Sequence, residues 1–202
     1  MVNLAGDVAG RRVLDAGCGS GPLAAALHAK GAIVSGFDLS ADMIALARER
    51  LGDDADLKVA DLSEPLPYDV NSFDVVVCSL ALHYLKDWGE PLTELRRILR
   101  PGGRLVVSVP HPFVYLFNYQ KRDYFALTQY SEEFDFDGYN AVLTYWHRPL
   151  HAMTDAFTEA GFRIAVVSEP PWSPDTPADL LPANASERSA FVCFLFFTLE
   201  AP

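Results

Sequence analysis

Between residues 15 and 21 the chain reads Asp-Ala-Gly-Cys-Gly-Ser-Gly, an acid followed by glycine at every second position. Glycine tolerates the backbone of a tight turn and lets a ligand approach the main chain. A helix opening directly behind such a turn offers unpaired N–H groups. Two more acids, Asp38 and Asp61, close the next two apolar runs. Three acids at three strand ends would line the carboxyl edge of a sheet, where open α/β sheets bind ligands, with Asp38 placed for ribose hydroxyls. Together these residues describe a pocket for an adenosine-bearing ligand, although Asp61 alone also reads as a turn or cap acid.

Glycine spacing separates two uses of this pocket. The dinucleotide pattern GxGxxG requires glycine at position 22, where the chain has Pro22. GxGxG with an acid two residues ahead instead resembles the first motif of class I S-adenosylmethionine-dependent methyltransferases, in particular small-molecule enzymes with a type 11-like domain. The resemblance runs from about Gly10 to the C-terminus. It implies that Asp15 and the backbone of Gly17, Cys18, Gly19 and Gly21 in VLDAGCGSG cradle the methionine part of the cofactor. In GFDLS, Asp38 and Leu39 would meet the ribose; in VADLSEPLP, Asp61 would reach the adenine amino group beside Leu62; Met43 would cover the adenine. FDVVVCSLALHYLKDW and LRPGGRLVVSVP resemble the fourth-strand and fifth-strand motifs, and Ser79 and His83 fall to the cofactor side. The implied cofactor is S-adenosylmethionine and the product S-adenosylhomocysteine. Many relatives place helices before the first strand to close over the cofactor. Here about eleven residues precede it, so either the chain begins late or another element covers the site.

In-line methyl transfer depends on positioning and exclusion of water, so a dedicated base is optional. The candidates for a base or substrate contact are His111, at the end of the fifth strand, and His147, in a Tyr-Trp-His-Arg-Pro run. His83 reads as packing under the cofactor, and His28 and His151 as helix surface or packing residues. The fourth strand ends in Cys78-Ser79-Leu80, without the Asn/Asp-Pro-Pro-Tyr run of amino-methylating nucleic-acid enzymes or the acid of magnesium-dependent catechol-type enzymes. Neither a metal nor a DNA substrate is expected.

The elements that position these residues alternate. Strands are predicted at Arg12 to Asp15, Ile33 to Asp38, Leu57 to Ala60, Phe73 to Ser79 and Arg104 to Val109. Helices are predicted at Pro22 to Lys30, at Ala41 to Leu51 behind a Ser40 cap, and at Leu92 to Leu99, the last ended by Pro101-Gly102-Gly103. FDVVVCS is a continuous apolar run, as in a parallel strand covered on both faces. From His111 to His147 the pattern breaks into an aromatic stretch, read as an irregular inserted lid. A helix at Pro149 to Ala160 and a sixth strand at Phe162 to Ser168 follow. A proline-rich connection at Pro170 to Pro182 then leads to a last strand at Phe191 to Glu200, antiparallel to its neighbours. The fold class is α/β, a Rossmann-like doubly wound sheet within one domain, and the resemblance implies strand order 3-2-1-4-5-7-6.

Half of the 202 residues are apolar and 21% are charged, which suits a packed domain. A net charge of −11 opposes approach to nucleic acid or an anionic membrane. Cys18, Cys78 and Cys193 lack metal-ligand spacing and read as reduced. No signal peptide or membrane span is apparent, so the expected setting is the cytoplasm, where the Asn184-Ala185-Ser186 sequon has no meaning. The expected partner is a small-molecule acceptor, aromatic or apolar from the lid composition; a homodimer is compatible with the sequence but not required. The rival readings are a non-catalytic protein that binds S-adenosylmethionine or S-adenosylhomocysteine, and an NAD-dependent oxidoreductase.

Overall fold

The computed structural model describes residues 1–52, 55–136, 138–172, 176–178, 181 and 192–202. After a one-turn helix α1 (Val2–Ala5), β1 (Arg12–Ala16), α2 (Pro22–His28), β2 (Ile33–Asp38), α3 (Ala41–Leu51) and β3 (Asp56–Val59) alternate. Next come β4 (Phe73–Ser79), α4 (Gly89–Ile98) and β5 (Leu99–Pro110). The second half holds α5 (Pro112–Asn118), β6 (Thr128–Phe136), β7 (Tyr139–His147), α6 (Leu150–Glu159), β8 (Arg163–Ser168) and β9 (Phe194–Glu200). Seven strands form one sheet in the order β3-β2-β1-β4-β5-β9-β8. The first five are parallel, and β9 runs antiparallel to β5 and β8. This is the doubly wound arrangement expected from the sequence, with β8 and β9 as its sixth and seventh strands.

Burial in β4 explains its unbroken apolar run. Val76 and Cys78 belong to one buried cluster with α4 and α6, while Val75 and Val77 belong to another that includes Leu27 of α2 and Ala5 of α1. A strand covered on both faces has no wet side on which to place polar residues. Ser40 caps α3 by accepting a hydrogen bond from the Met43 N–H, and Gly52 closes the helix at φ 95°.

Several boundaries differ from the expectation. Helix α4 stops at Ile98, and Leu99 already pairs with Phe73. Pro101-Gly102-Gly103 therefore interrupts a strand, not a helix; the register jumps to Val75 opposite Arg104, and the Gly102 N–H donates to the Ala201 carbonyl. Helix α2 ends at His28, two residues early, and β9 begins at Phe194. Residue 191, the sequon and part of the Pro170 to Pro182 connection lie outside the described residues.

The largest correction concerns the aromatic insertion, which is regular. Helix α5 is followed by an antiparallel hairpin in which β6 and β7 pair over nine positions, from Thr128↔His147 to Phe136↔Tyr139. Tyr130, Glu132 and Phe134 are partly covered, while Gln129, Ser131, Glu133 and Asp135 are exposed. That is the period-two pattern of a half-buried strand. The hairpin packs over the 3₁₀ turn Leu82–Tyr84 behind β4. Helix α1 sits at the other end of the sheet, where the Arg104 guanidinium donates to the Ala5 carbonyl at 3.3 Å, so it does not cover the glycine turn.

Candidate active site

The glycine turn is held by the next strand. The Gly17 and Cys18 N–H groups both donate to the Phe37 carbonyl at 2.9 Å, and the Gly19 N–H donates to Asp38 Oδ2 at 2.8 Å. Gly17, Gly19 and Gly21 have φ of 73°, 54° and 79°, a region that side-chain-bearing residues rarely adopt. A Cβ at Gly17 would lie 2.7 Å from the Ala81 Cβ, whereas one at Gly19 would meet nothing within 4 Å. One glycine thus permits close packing and another faces open space in which a ligand can lie.

The three acids occupy neighbouring strand ends with different surroundings. Asp15, 1% exposed, has an Oδ2 with no hydrogen-bond partner. Burial pushes its carboxyl up to about 7; an Ala24 N–H opposes the rise and the Asp38 charge adds to it. Asp38 uses both oxygens, on the Gly19 and Ser40 N–H groups. Asp61 accepts from the N–H and hydroxyl of Ser63, the geometry of a turn acid, and also lines the cavity beside Asp38.

That cavity, of about 200 Å³, is lined by Gly17, Asp38, Leu39, Asp61 and Leu62 together with Phe37, Ala60, Leu80, Ala81, Tyr84 and Leu85. Five of the expected cofactor residues meet here. Asp15, Cys18, Gly19 and Gly21 stand in or behind the turn and do not line the cavity. Met43, 40% exposed, opens α3 outside the lining. Ser79 is tied to Ser108, hydroxyl to hydroxyl, at 3.0 Å.

A second cavity, of about 420 Å³, lies under the hairpin, with Leu80, His83, Tyr84, Tyr115, Tyr130, Glu132, Phe134, Tyr145 and Cys193 in its wall. Leu80 and Tyr84 border both cavities. Sequence reading passed over these two. Leu80 follows β4 at φ 52°, an uncommon conformation for a bulky residue and one that clusters at functional sites. The only available signal was their position directly after the fourth strand.

The histidines divide. His83, expected beneath the cofactor, lines the larger cavity and not the smaller one. Burial pushes its imidazole down to about 4, so it is neutral at pH 7. His111 caps α5 by accepting from the Phe113 N–H and pairs with Glu169 at 2.7 Å. His147 lies in the lid core, 2.7 Å from the Tyr124 carbonyl and stacked on Tyr115 at 3.9 Å, with its pKa lowered by burial. Neither lines the larger cavity.

A glycine turn between a parallel strand and a helix, in a seven-stranded sheet with acids at three adjacent strand ends, is the arrangement of a Rossmann-like domain. Residues 14–107 match the family described as a methyltransferase domain. A demethylmenaquinone methyltransferase of Clavibacter sepedonicus is 44% identical over 102 residues, 50% of this chain and 41% of the relative. The chain thus spans about two fifths of that protein's length. A structure of an S-adenosylmethionine-dependent methyltransferase from Listeria monocytogenes superposes with a TM-score of 0.79 at 22% identity, covering 98% of this chain and 93% of that one. One from Mesorhizobium loti gives 0.72 at 26%, covering 98% and 94%. Residues 14–107 thus carry a methyltransferase-domain match, and the fold is that of S-adenosylmethionine-dependent methyltransferases, whose cofactor is S-adenosylmethionine. The residues present fit it: an unpartnered buried carboxylate behind the turn, open space at Gly19, and acids at the next two strand ends.

Proposed function

We propose that the protein transfers the cofactor's activated methyl group to an O, N or C nucleophile on a small, largely apolar acceptor. The observation that carries this reading is the meeting of two cavities at Leu80 and Tyr84, one edged by acids and the other walled by aromatic rings. Bound S-adenosylmethionine would supply an electrophilic methyl group on a sulfonium. Asp38 and Asp61 offer hydrogen-bond acceptors to the nucleoside, and the Asp15 carboxylate offers a counter-charge to the methionine ammonium. Tyr84, Tyr115, Tyr130 and Tyr145 give the acceptor an apolar bed and keep water from the seam, so positioning and desolvation supply the rate enhancement. Burial raises the phenol pKa values of Tyr130 and Tyr145, which keeps both rings neutral. The family match ends at residue 107, before the lid, so the acceptor is argued from this chain's own cavity. A free small molecule in the cytoplasm, with no nucleic-acid partner, suits the net charge of −11. A single domain of residues 1–202, with 111–147 inserted as its lid, suits the one seven-stranded sheet.

Calorimetric titration with S-adenosylmethionine, S-adenosylhomocysteine and NAD tests the reading. Saturable binding of the two sulfur ligands, weakened about tenfold or more in Asp38→Ala by loss of charge-assisted hydrogen bonds, is expected. Binding of NAD alone would transfer the site to a nicotinamide enzyme. Binding of the sulfur ligands without turnover across an acceptor panel would favour a non-catalytic binder.

A further inference from the structure

Glu132 stands where the pattern of its strand calls for an apolar side chain. Tyr130, Glu132 and Phe134 share one face of β6, and all three line the larger cavity. Glu132 is half-buried, while Ser131 and Glu133 on the opposite face are exposed. Among the described residues no hydrogen bond or ion pair reaches its carboxylate. Arg122 lies over the Tyr119 ring, 5.6 Å from the centroid, and does not line the cavity. A carboxylate drawn partly out of water without a partner is unfavourable, so a covered position that carries one calls for a positive charge from a ligand.

The rest of the wall has the same electrostatic character. Among the described lining residues there is no lysine or arginine, and the imidazole of His83 is uncharged at pH 7 because burial pushes it down to about 4. Tyr84, Tyr130 and Tyr145 line the cavity beside Glu132 and form one cluster, with the Tyr84 and Tyr130 centroids 5.3 and 5.6 Å from that of Tyr145. Burial raises the phenol pKa values of Tyr130 and Tyr145, and the Glu132 charge raises both further, which puts the carboxylate within electrostatic reach of these rings. Neutral aromatic rings attract a cation through their quadrupole, and a carboxylate does so through its charge. A net charge of −11 adds an attractive field around the molecule. A neutral ligand would leave Glu132 unpaired, and an anion would be repelled by it.

We propose that the larger cavity holds an apolar organic cation, an aryl or alkyl ammonium whose charge pairs with Glu132 beside the tyrosine cluster. That this amine is the methyl acceptor rests on the methyltransferase reading; the preference for positive charge is a property of the cavity wall. Transfer to the nitrogen requires loss of one N–H proton, which the Glu132 carboxylate can take. The freed lone pair then forms the N–C bond while the electron pair of the broken C–S bond stays on sulfur. The products are S-adenosylhomocysteine and a methylated ammonium, and the proton passes from Glu132 to water.

The test uses calorimetry at pH 7 with three probes of similar shape, 2-naphthylmethylammonium, 2-naphthylmethanol and 2-naphthoate, on the full chain with and without S-adenosylhomocysteine. The ammonium should bind about tenfold tighter than the alcohol, with naphthoate weakest. Glu132→Gln, which keeps the shape and removes the charge, should bring the ammonium down toward the alcohol. Glu133→Gln makes the same change in net charge on the exposed face of the strand and should leave the preference intact. Equal affinity for ammonium and alcohol overturns the proposal, as does no binding of the ammonium, or tighter binding of naphthoate. A preference that survives Glu132→Gln, or that Glu133→Gln also removes, overturns it as well, because the attraction then has another source than this carboxylate. Circular dichroism confirms that each variant is folded, and Glu132→Met supplies the same loss of charge if glutamine is not tolerated. Failure of S-adenosylhomocysteine to bind, with the ammonium preference intact, would sink the methyltransferase reading and leave the cation site standing; binding of S-adenosylhomocysteine without that preference would do the reverse.

Discussion

Asp15 couples the site to pH. Its carboxyl titrates near pH 7 in the folded chain and near 3.8 unfolded, so between those values the native state holds a proton that the unfolded state has lost. Stability contributed by this group is therefore present at low pH and is lost as pH rises toward 7. Asp15→Asn should gain stability at pH 8, on the order of a few kcal/mol, and the gain should vanish by about pH 4 in denaturant titrations at both pH values. On the proposed reading a ligand ammonium beside Asp15 would favour its charged form, so S-adenosylhomocysteine should bind more tightly at pH 8 than at pH 6. Calorimetry near pH 6.5, in buffers of different ionisation enthalpy, should register proton release on binding. Asp15, Asp38 and Asp61 were legible because acid type and strand-end position are written in the chain. The environment of Asp15 was not, because desolvation depends on the helices packed around it.

At the scale of elements, the seam between the cavities is built from backbone conformations. Leu80 holds φ 52° and is 37% exposed, so its side chain gains little from burial while its backbone carries a left-handed penalty. Leu80→Gly should therefore be more stable than Leu80→Ala, by about 1 kcal/mol in thermal unfolding. Gly17→Ala reverses the logic. It sets a Cβ against Ala81 at 2.7 Å and a side chain at φ 73°, and should cost about 1–3 kcal/mol together with loss of cofactor binding. The parallel strands were legible from their continuous apolar runs. The β6 hairpin could have been found as well: Thr128 to Phe136 alternates strictly except at Glu132, and that one carboxylate in the apolar register masked the pattern. The bulge at Pro101-Gly102-Gly103 uses the same residues as a helix stop, so only pairing with β4 and β9 distinguishes the two.

Across the whole molecule, a covered sheet supports a two-stranded lid that it does not include. Strands β1, β4 and β5 are buried between two clusters, whereas among the described residues β6 pairs only with β7. Isolated hairpins are marginal in water, so the lid should open without global unfolding. Native-state hydrogen exchange should find the hairpin amides exchanging well before those of β4, with the gap narrowing when nucleoside and acceptor analogue are both bound. Equal protection of hairpin and sheet in the free protein would contradict this picture. The doubly wound order was available through family resemblance, but the lid's docking on the turn behind β4 depends on contacts between Tyr145 and the Tyr84 and His83 rings, some sixty residues away in sequence.

The chain has three thiols, and they are unequal. Cys18 and Cys78 are buried, with burial pushing each up to about 12, which leaves them almost without thiolate at neutral pH. Cys193 is exposed and stands in the wall of the larger cavity. A maleimide dye or an electrophilic fragment should therefore attach at one position without any engineering. The tag would obstruct the aromatic-walled cavity while leaving the smaller, acid-edged one open, giving both an optical reporter for ligands entering beneath the hairpin and an anchor for covalent inhibitors.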